Sequence, residues 1–473
     1  MRKNFFYYLS PSVLAGILGV FVIIPVSTYY LDPEDFGVVG IITVFSGLIV
    51  PLSSVGLSWV LSGNYYKISD EEKKALVFNL LIIGFLFRVF WALVFGIFGH
   101  LFLPKAIKSF QPEFIFFFWI FLTAECFNAI NQTVTHVIMF QKKGKMHALF
   151  DVIKTLSRAL TLVFALVVLK LKTVSLALAF LGAAAGGCIY CLFYIRKYVV
   201  YRFEARWVKE IIKRGFPTIP LNLFEIISTS IGRFFVERWA GLSELGIYSH
   251  SLEYRKAFMV PERAFLKVSA PEFLEAFSNN NKTKSKSAKQ ALKKWFGLLT
   301  LGGVFLVFFS KDALNILTHG KFINAAVLIC LWFTVIAVYA FGIPYTRYLL
   351  AHKKNKFMFY SELILGFVSI AIIALFVKFF SIVGATAAVL LYYLLLNLTR
   401  RIYARKLGCE NFERNYFIVT MAILLGLTYL VNTFDLDLAI KLVSIVILSL
   451  FVVKFYDLNP LSLLNKKKAG TLC

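Results

Sequence analysis

The 473-residue chain is 59% hydrophobic and 17% aromatic, with 51 phenylalanines, a net charge of +26 and a mean hydropathy of +0.76. Apolar runs of about twenty residues recur from end to end, which excludes a soluble protein of two or three domains and leaves an all-α polytopic membrane protein. In that setting the surplus of Lys and Arg belongs to cytoplasmic loops, so the charge implies a lipid bilayer as partner and no nucleic acid.

Fourteen transmembrane helices are predicted, at 10–31, 36–62, 75–103, 113–140, 148–169, 173–195, 215–240, 249–277, 293–310, 322–350, 357–377, 381–403, 415–433 and 437–456. The first follows "MRKN" directly. It is too long for a signal-peptide core and lacks a small-residue cleavage site, so it is expected to remain as a helix. With the N-terminus inside, 33 Lys and Arg fall in the cytoplasmic segments and 7 in the opposite ones, which hold the acidic turns "LDPED" at 31–35 and "NTFDLDL" at 432–438. That asymmetry predicts both termini in the cytoplasm. Of the cysteines, Cys126, Cys188, Cys191 and Cys330 fall in spans, and Cys409 and Cys473 in cytosolic segments. No extracytoplasmic disulfide follows. The "CIYC" at 188–191 reads as small residues on a buried helix, not as a metal or redox pair.

The segment at 249–277 is the exception to the apolar pattern, with Glu253, Arg255, Lys256, Glu262, Arg263, Lys267, Glu272 and Glu275. An internal repeat decides whether it crosses. "MFQKKGKMHALFDVI" (139–153) aligns with "LAHKKNKFMFYSELI" (350–364), placing Lys142, Lys143, Lys145 and Asp151 on Lys353, Lys354, Lys356 and Glu362. "EKKALVFNLLIIGFL" echoes "AKQALKKWFGLLTLGGVFL", and "PEDFGVVGI" (33–41) echoes "LSELGIYSH" (242–250). Several echoes in one order indicate duplication. Helices 7–12 then copy helices 1–6 in the same orientation, and 249–277 must cross. The expected organisation is two pseudo-symmetric six-helix lobes, 1–200 and 201–406, followed by helices 13–14 and a basic tail over 407–473. This is a secondary-transporter plan.

Ionisable groups inside spans are costly unless they face protein or water, so they are the candidate functional residues. Arg88 is the one charge in the middle of helix 3, and Lys154 and Arg158 form an i,i+4 pair on helix 5 with Asp151 nearby. Lys256, Arg263 and Lys267 fall within roughly 40° on a helical wheel. For each cation the choices are a cavity lining or a buried ion pair, with the cavity favoured for Arg88 and Arg263. Arg238, Arg347 and Lys441 lie near helix ends and are expected to snorkel. On helix 4, Glu125, Asn128, Gln132, Thr135 and His136 form a polar stripe. It suits sugar hydroxyls, a proton relay through Glu125 and His136, or interhelical hydrogen bonds. Arg233 and Glu237 read as a structural pair. A cation-rich interior fits an anionic passenger, phosphate above all. No Walker A pattern occurs, and external loops of about ten residues or fewer are too short for a folded catalytic site. No enzyme activity, cofactor or metal is expected.

The stretch "FVIIPVSTYYLDPEDFGVVGIITVFSGLIVPLSSVGLSWVL" (21–61), with the later "GLSELGIYS", resembles the polysaccharide and O-antigen flippases (Wzx type) of the multidrug/oligosaccharidyl-lipid/polysaccharide exporter superfamily. The resemblance implies two lobes around a central cavity in a bacterial cytoplasmic (inner) membrane. It also implies alternating access, with an undecaprenyl-pyrophosphate-linked oligosaccharide moved to the outer leaflet for O-antigen or lipopolysaccharide synthesis, beside a polysaccharide polymerase machinery. A lipid II flippase is the near alternative. A cation-coupled drug exporter fits less well, because residues 10–31 and 36–62 carry no acid within the spans.

Overall fold

The computed structural model describes residues 18–54, 60–61, 64–65, 68–141, 143–215, 219–278, 282–410, 412, 414–434 and 436–458. The expected start of the first helix at residue 10, the stretch 55–59 and the basic tail lie outside them. Among the described residues the regular elements are helices: α1 (Gly19–Tyr30), α2 (Pro33–Ser54), α3 (Asp70–Ala106), α4 (Glu113–Phe140), α5 (Gly144–Val163), α6 (Val174–Ile195), α7 (Ala205–Gly215), α8 (Ile219–Ala240), α9 (Leu242–Ser278), α10 (Lys282–Thr318), α11 (Ala325–Ala351), α12 (Asn355–Lys406), α13 (Arg414–Thr433) and α14 (Leu438–Phe455). Nine of the described helices are long and apolar enough to cross a membrane, and α5, α8 and the highly charged α9 are not among them.

Three differences from the expected elements have plain physical causes. The basic stretch expected as a loop after residue 200 contains α7, whose apolar residues recur at helical spacing and bury Trp207 and Ile211. The lysine-rich run before residue 293 is the start of α10, since Lys, Ala, Gln and Leu are good helix formers whatever their charge. The predicted helices 357–377 and 381–403 are one element, α12, bent at Ser381, where φ is 51° and ψ −135°. This conformation is strained for a residue with a Cβ, and it replaces the expected turn. α12 therefore stands for two of the predicted helices, and each of the fourteen has its counterpart, with α7 added.

Two compact units make up the chain: Met1–His250 with Leu317–Phe322 and Ile373–Ile382, and Ser251–Ile316 with Ile323–Ile372 and Val383–Cys473. In the first, α4 packs against α3 and α6, and α6 packs against α5. Small residues make this possible: a Cβ at Gly186 would lie 2.1 Å from the Ser157 hydroxyl, and one at Gly182 2.2 Å from that of Thr161. Close backbone approach of this kind is what drives helix association where lipid is as apolar as the side chains. α7 is tied to α3 by the ion pair Arg206–Glu72 at 3.0 Å and by Asn79, which donates to the Arg202 carbonyl and accepts from the Glu204 amide, both at 2.9 Å. Desolvation pushes the Glu204 carboxyl up, but hydrogen bonds from Arg202 and Arg206 together outweigh it and hold it below the usual carboxylate range.

At the other end of the same unit, polar clasps join the turns. Lys321 pairs with Asp32 at 2.9 Å and donates to the carbonyls of Leu31 and Tyr29, and Thr28 donates to the Leu317 carbonyl at 3.1 Å. The Thr173 hydroxyl donates to Asp35. Glu237 accepts from the amides of Ser109 and Lys108 at 2.7 and 3.2 Å. Gly241, with φ of 90°, ends α8 in the left-handed conformation that favours glycine, and α9 starts at once. There the two echoing segments meet. A Cβ at Gly37 would sit 2.1 Å from the Leu242 carbonyl oxygen, and one at Gly246 1.6 Å from that of Pro33. Gly37 and Gly246 hold equal places in the echo, and each meets the first residue of the other segment, the reciprocal pattern of a two-fold contact.

In the second unit the core gathers Phe273, Phe296, Phe341, Tyr345, Phe412 and Phe417, with Phe341 stacked on Phe417 at 4.2 Å. α13 and α14, outside the repeat, contribute Leu424 and Val452 to it. A buried hydroxyl chain runs from Thr300 to Thr420 (2.9 Å) and on to Tyr456 (2.7 Å). α11 and α12 approach through Asn397, which donates to the Val338 carbonyl at 2.7 Å. Gly246→Val is expected to lower the melting temperature of the purified protein by overpacking, at about 1–3 kcal/mol. Gly47→Ala, where a Cβ would meet nothing within 4 Å, leaves it unchanged or raises it.

Candidate functional site

Most of the sequence candidates lie on α3, α4 and α5 of the first unit. Arg88 projects from the middle of α3, and its side chain is only 2% exposed. Its Nη1 donates to the Glu125 carboxylate at 2.9 Å, and its Nη2 to the Gln132 amide oxygen at 3.5 Å. Glu125 also accepts from Asn128 at 3.5 Å. Asn131, a turn further and absent from the expected stripe, donates to the Asn128 amide oxygen at 3.4 Å and to the Ala184 carbonyl on α6 at 2.9 Å. The stripe of α4 is thus a continuous polar seam between α3, α4 and α6. Arg88 was expected to line a cavity, and here it is a buried ion pair instead. A guanidinium surrounded by Phe- and Leu-rich helices has no water to turn to, and Glu125 lies one helix away.

Lys154, half-buried on α5, completes the set from the third side, with Glu125 and Asp151 as the acids in its electrostatic reach. Its ammonium lies 5.9 Å from the Phe150 ring centre. Asp151 itself bonds His147 at 3.2 Å, an i,i+4 contact the sequence reading did not include. Arg158 is half-buried one turn along. His136 is half-buried at the far end of the stripe, near His147 and not in the Arg88–Glu125 pair. Thr135 returns its hydroxyl to the Asn131 carbonyl at 2.7 Å.

The cations of α9 sit in other surroundings. Lys256 is exposed and paired with Glu253 at 2.6 Å, Arg263 is exposed, and the Lys267 side chain lies outside the described ones. Arg255 places its guanidinium 4.7 Å from the Trp332 ring centre. Two expectations for the remaining charges need correction. Lys441, expected to snorkel, pairs with Asp312 at 2.7 Å. Arg400, counted among loop cations, lies inside α12 with its side chain 8% exposed, paired with Glu362 and donating to Thr346 at 3.3 Å. Glu362 is the repeat counterpart of Asp151, so the alignment carried a signal for this second pair. Of the expected structural pair on α8, Glu237 caps the α3–α4 turn, and Arg233 donates to the Thr43 hydroxyl at 3.2 Å. Glu262, one residue before Arg263 and not singled out in the sequence, is 1% exposed.

The fold is that of the transporters of the multidrug/oligosaccharidyl-lipid/polysaccharide (MOP) superfamily. The lipid II flippase MurJ in an inward closed conformation, 15% identical, matches with a TM-score of 0.72 over 98% of this chain and 99% of that one. An inward-facing multidrug resistance MATE family transporter, 14% identical, gives 0.65 over 84% and 94%. A MOP superfamily transporter from Pyrococcus furiosus, described as having a binding pocket of reverse polarity, is 13% identical and gives 0.56 over 89% and 96%. The family model of the polysaccharide biosynthesis proteins matches residues 1–262, more than half of the chain, and the chain belongs to that family. No curated protein matches it significantly.

Arg88→Ala is expected to destabilise the purified protein by about 3–5 kcal/mol, because Glu125 is left buried and unpaired. Arg88→Leu with Glu125→Leu recovers most of that loss, and thermal unfolding in detergent measures both.

Proposed function

We propose that this chain is a flippase that carries an undecaprenyl-pyrophosphate-linked oligosaccharide from the inner to the outer leaflet of a bacterial cytoplasmic membrane by alternating access, with both termini in the cytoplasm. The observation that carries the reading is the surplus of positive charge within the helices of a polysaccharide-biosynthesis family member. Once the cations of the cytoplasmic and opposite segments are set aside, eleven of the 51 Lys and Arg remain, Lys154, Arg158 and Arg263 among them. Arg88 is neutralised by Glu125, so Lys154, Arg158, Lys256, Arg263 and Lys267 are the cations proposed to meet the pyrophosphate. Arginine and lysine bind phosphate through charge-assisted hydrogen bonds that a neutral or cationic drug would not satisfy. Outward movement of a doubly negative headgroup gains roughly 4.6 kcal/mol per 100 mV of inside-negative potential. Asn128 and Gln132 are the groups proposed to meet sugar hydroxyls. A polysaccharide polymerase is the partner this passenger calls for, and the product would feed O-antigen or lipopolysaccharide synthesis.

The fold likeness to MurJ favours lipid II as the second reading, since lipid II is also a lipid pyrophosphate. Mass spectrometry of lipids retained by the gently purified protein separates the two. Polyprenyl-pyrophosphate-linked sugar enriched on the wild type, and lost from Lys154→Ala/Arg263→Ala, supports the oligosaccharide reading. Retention of lipid II alone selects the second reading, and ordinary phospholipids held equally by both proteins defeat the anionic passenger.

A further inference from the structure

Glu262 is the acid in this molecule whose surroundings least resemble those of a structural charge. It lies on α9, is 1% exposed, and neither carboxylate oxygen has a hydrogen-bond partner among the described residues. Two other acids of low exposure are held. Glu125 has Arg88 at 2.9 Å, and Glu237 has the two amides of the α3–α4 turn. A carboxylate taken from water without donors costs several kcal/mol, and such a group persists only if another state of the site repays it.

Among the described residues, the charged and titratable groups near Glu262 are Arg255 and Arg263 on its own helix and Tyr339 on α11. Around Tyr339 stand Arg347, also on α11, and Tyr393 and Arg400 on α12. Two of these cations are engaged elsewhere. Arg255 is laid over Trp332, itself anchored by a 3.0 Å bond to the Ser251 hydroxyl, and Arg400 is bound to Glu362 and Thr346. Arg263 is exposed while Glu262 is buried, although the two are adjacent in sequence. The described residues include no group of three or more His, Cys, Asp or Glu side chains able to hold a metal ion. A proton needs a single carboxyl and nothing more.

We propose that Glu262 is a proton-binding site, whose carboxyl takes one proton from water on one side of the membrane and returns it on the other. No other bond forms or breaks: the carboxylate becomes a neutral acid in the buried state and recovers its charge where water or Arg263 can reach it. The charge on α9 then differs by one between two states of the transport cycle, which is how a proton gradient would bias them. This use of the proton rests on the transport reading above. The binding itself does not.

The test is infrared titration of the full-length protein in nanodiscs, which needs no passenger. The expected result is a carbonyl stretch of a buried carboxylic acid that bleaches as the pH is raised. It is absent from Glu262→Gln, unchanged in Glu125→Gln and insensitive to replacement of potassium by sodium. Glu262→Asp keeps a carboxyl and guards against a misfolded Gln variant, and it retains the band at a shifted frequency. A wild type with no titrating band, a band that survives in Glu262→Gln, or one removed by sodium at constant pH overturns the proposal. Each of those failures leaves the lipid-binding result above untouched, and loss of the lipid result leaves the proton site standing.

Discussion

Inside a bilayer a charge must find its partner within the protein, and the Arg88–Glu125 pair is where this constraint acts most strongly on the chain. α3 turns Leu86, Phe90, Leu93 and Ile97 outward, as lipid-facing side chains, and the one ion in its middle inward. The attraction between the two charges is large in such surroundings, but so is the cost of desolvating them. The pair is therefore better understood as fixing which face of α3 meets α4 than as a net source of stability. Gln132, Asn128 and Asn131 extend that choice along α4 to α6. In the second unit Arg400–Glu362 and Lys441–Asp312 obey the same rule.

Where there are no charges, small residues do the joining. Lipid offers no hydrophobic drive between helices, so contact depends on how closely backbones approach. The glycines of α6 admit the hydroxyls of Ser157 and Thr161, and Gly37 and Gly246 bring α2 and α9 together carbonyl to Cα. These seams act together with the clasps of Lys321, Thr173 and Glu237 on the neighbouring turns and with buried aromatics such as Phe114, Phe118 and Phe121. The second unit gathers Phe273, Phe341, Phe412 and Phe417 and adds the hydroxyl chain of Thr300, Thr420 and Tyr456.

The division of labour among the charges follows from these contacts. Cations already neutralised, such as Arg88 and Arg400, shape the bundle. Cations left exposed, such as Arg263, are the ones proposed to meet a passenger. Glu262 inverts the pattern, being an acid buried with no hydrogen-bond partner among the described residues, on the same helix as the exposed Arg263. α9 carries nine charged residues, more than any other described helix.

The helical character of the chain and the approximate places of its helices were legible in the amino-acid sequence, because hydropathy and internal repetition are properties of the chain itself. So was the polar stripe of α4, since helical periodicity places its residues on one face. What that face meets was not legible. Periodicity assigns a side chain to a side of its own helix but says nothing of the neighbour opposite, so the burial of Arg88, the pairing of Arg400 and the burial of Glu262 were settled only by packing. The same holds for α7, where apolar spacing competed with a dense basic charge, and for Ser381, whose strained backbone joins two predicted helices into one. Composition determined that this chain lives in a membrane, and tertiary contact decided which of its charges are free, because in hydrocarbon a charge is defined by what stands within about 4 Å of it.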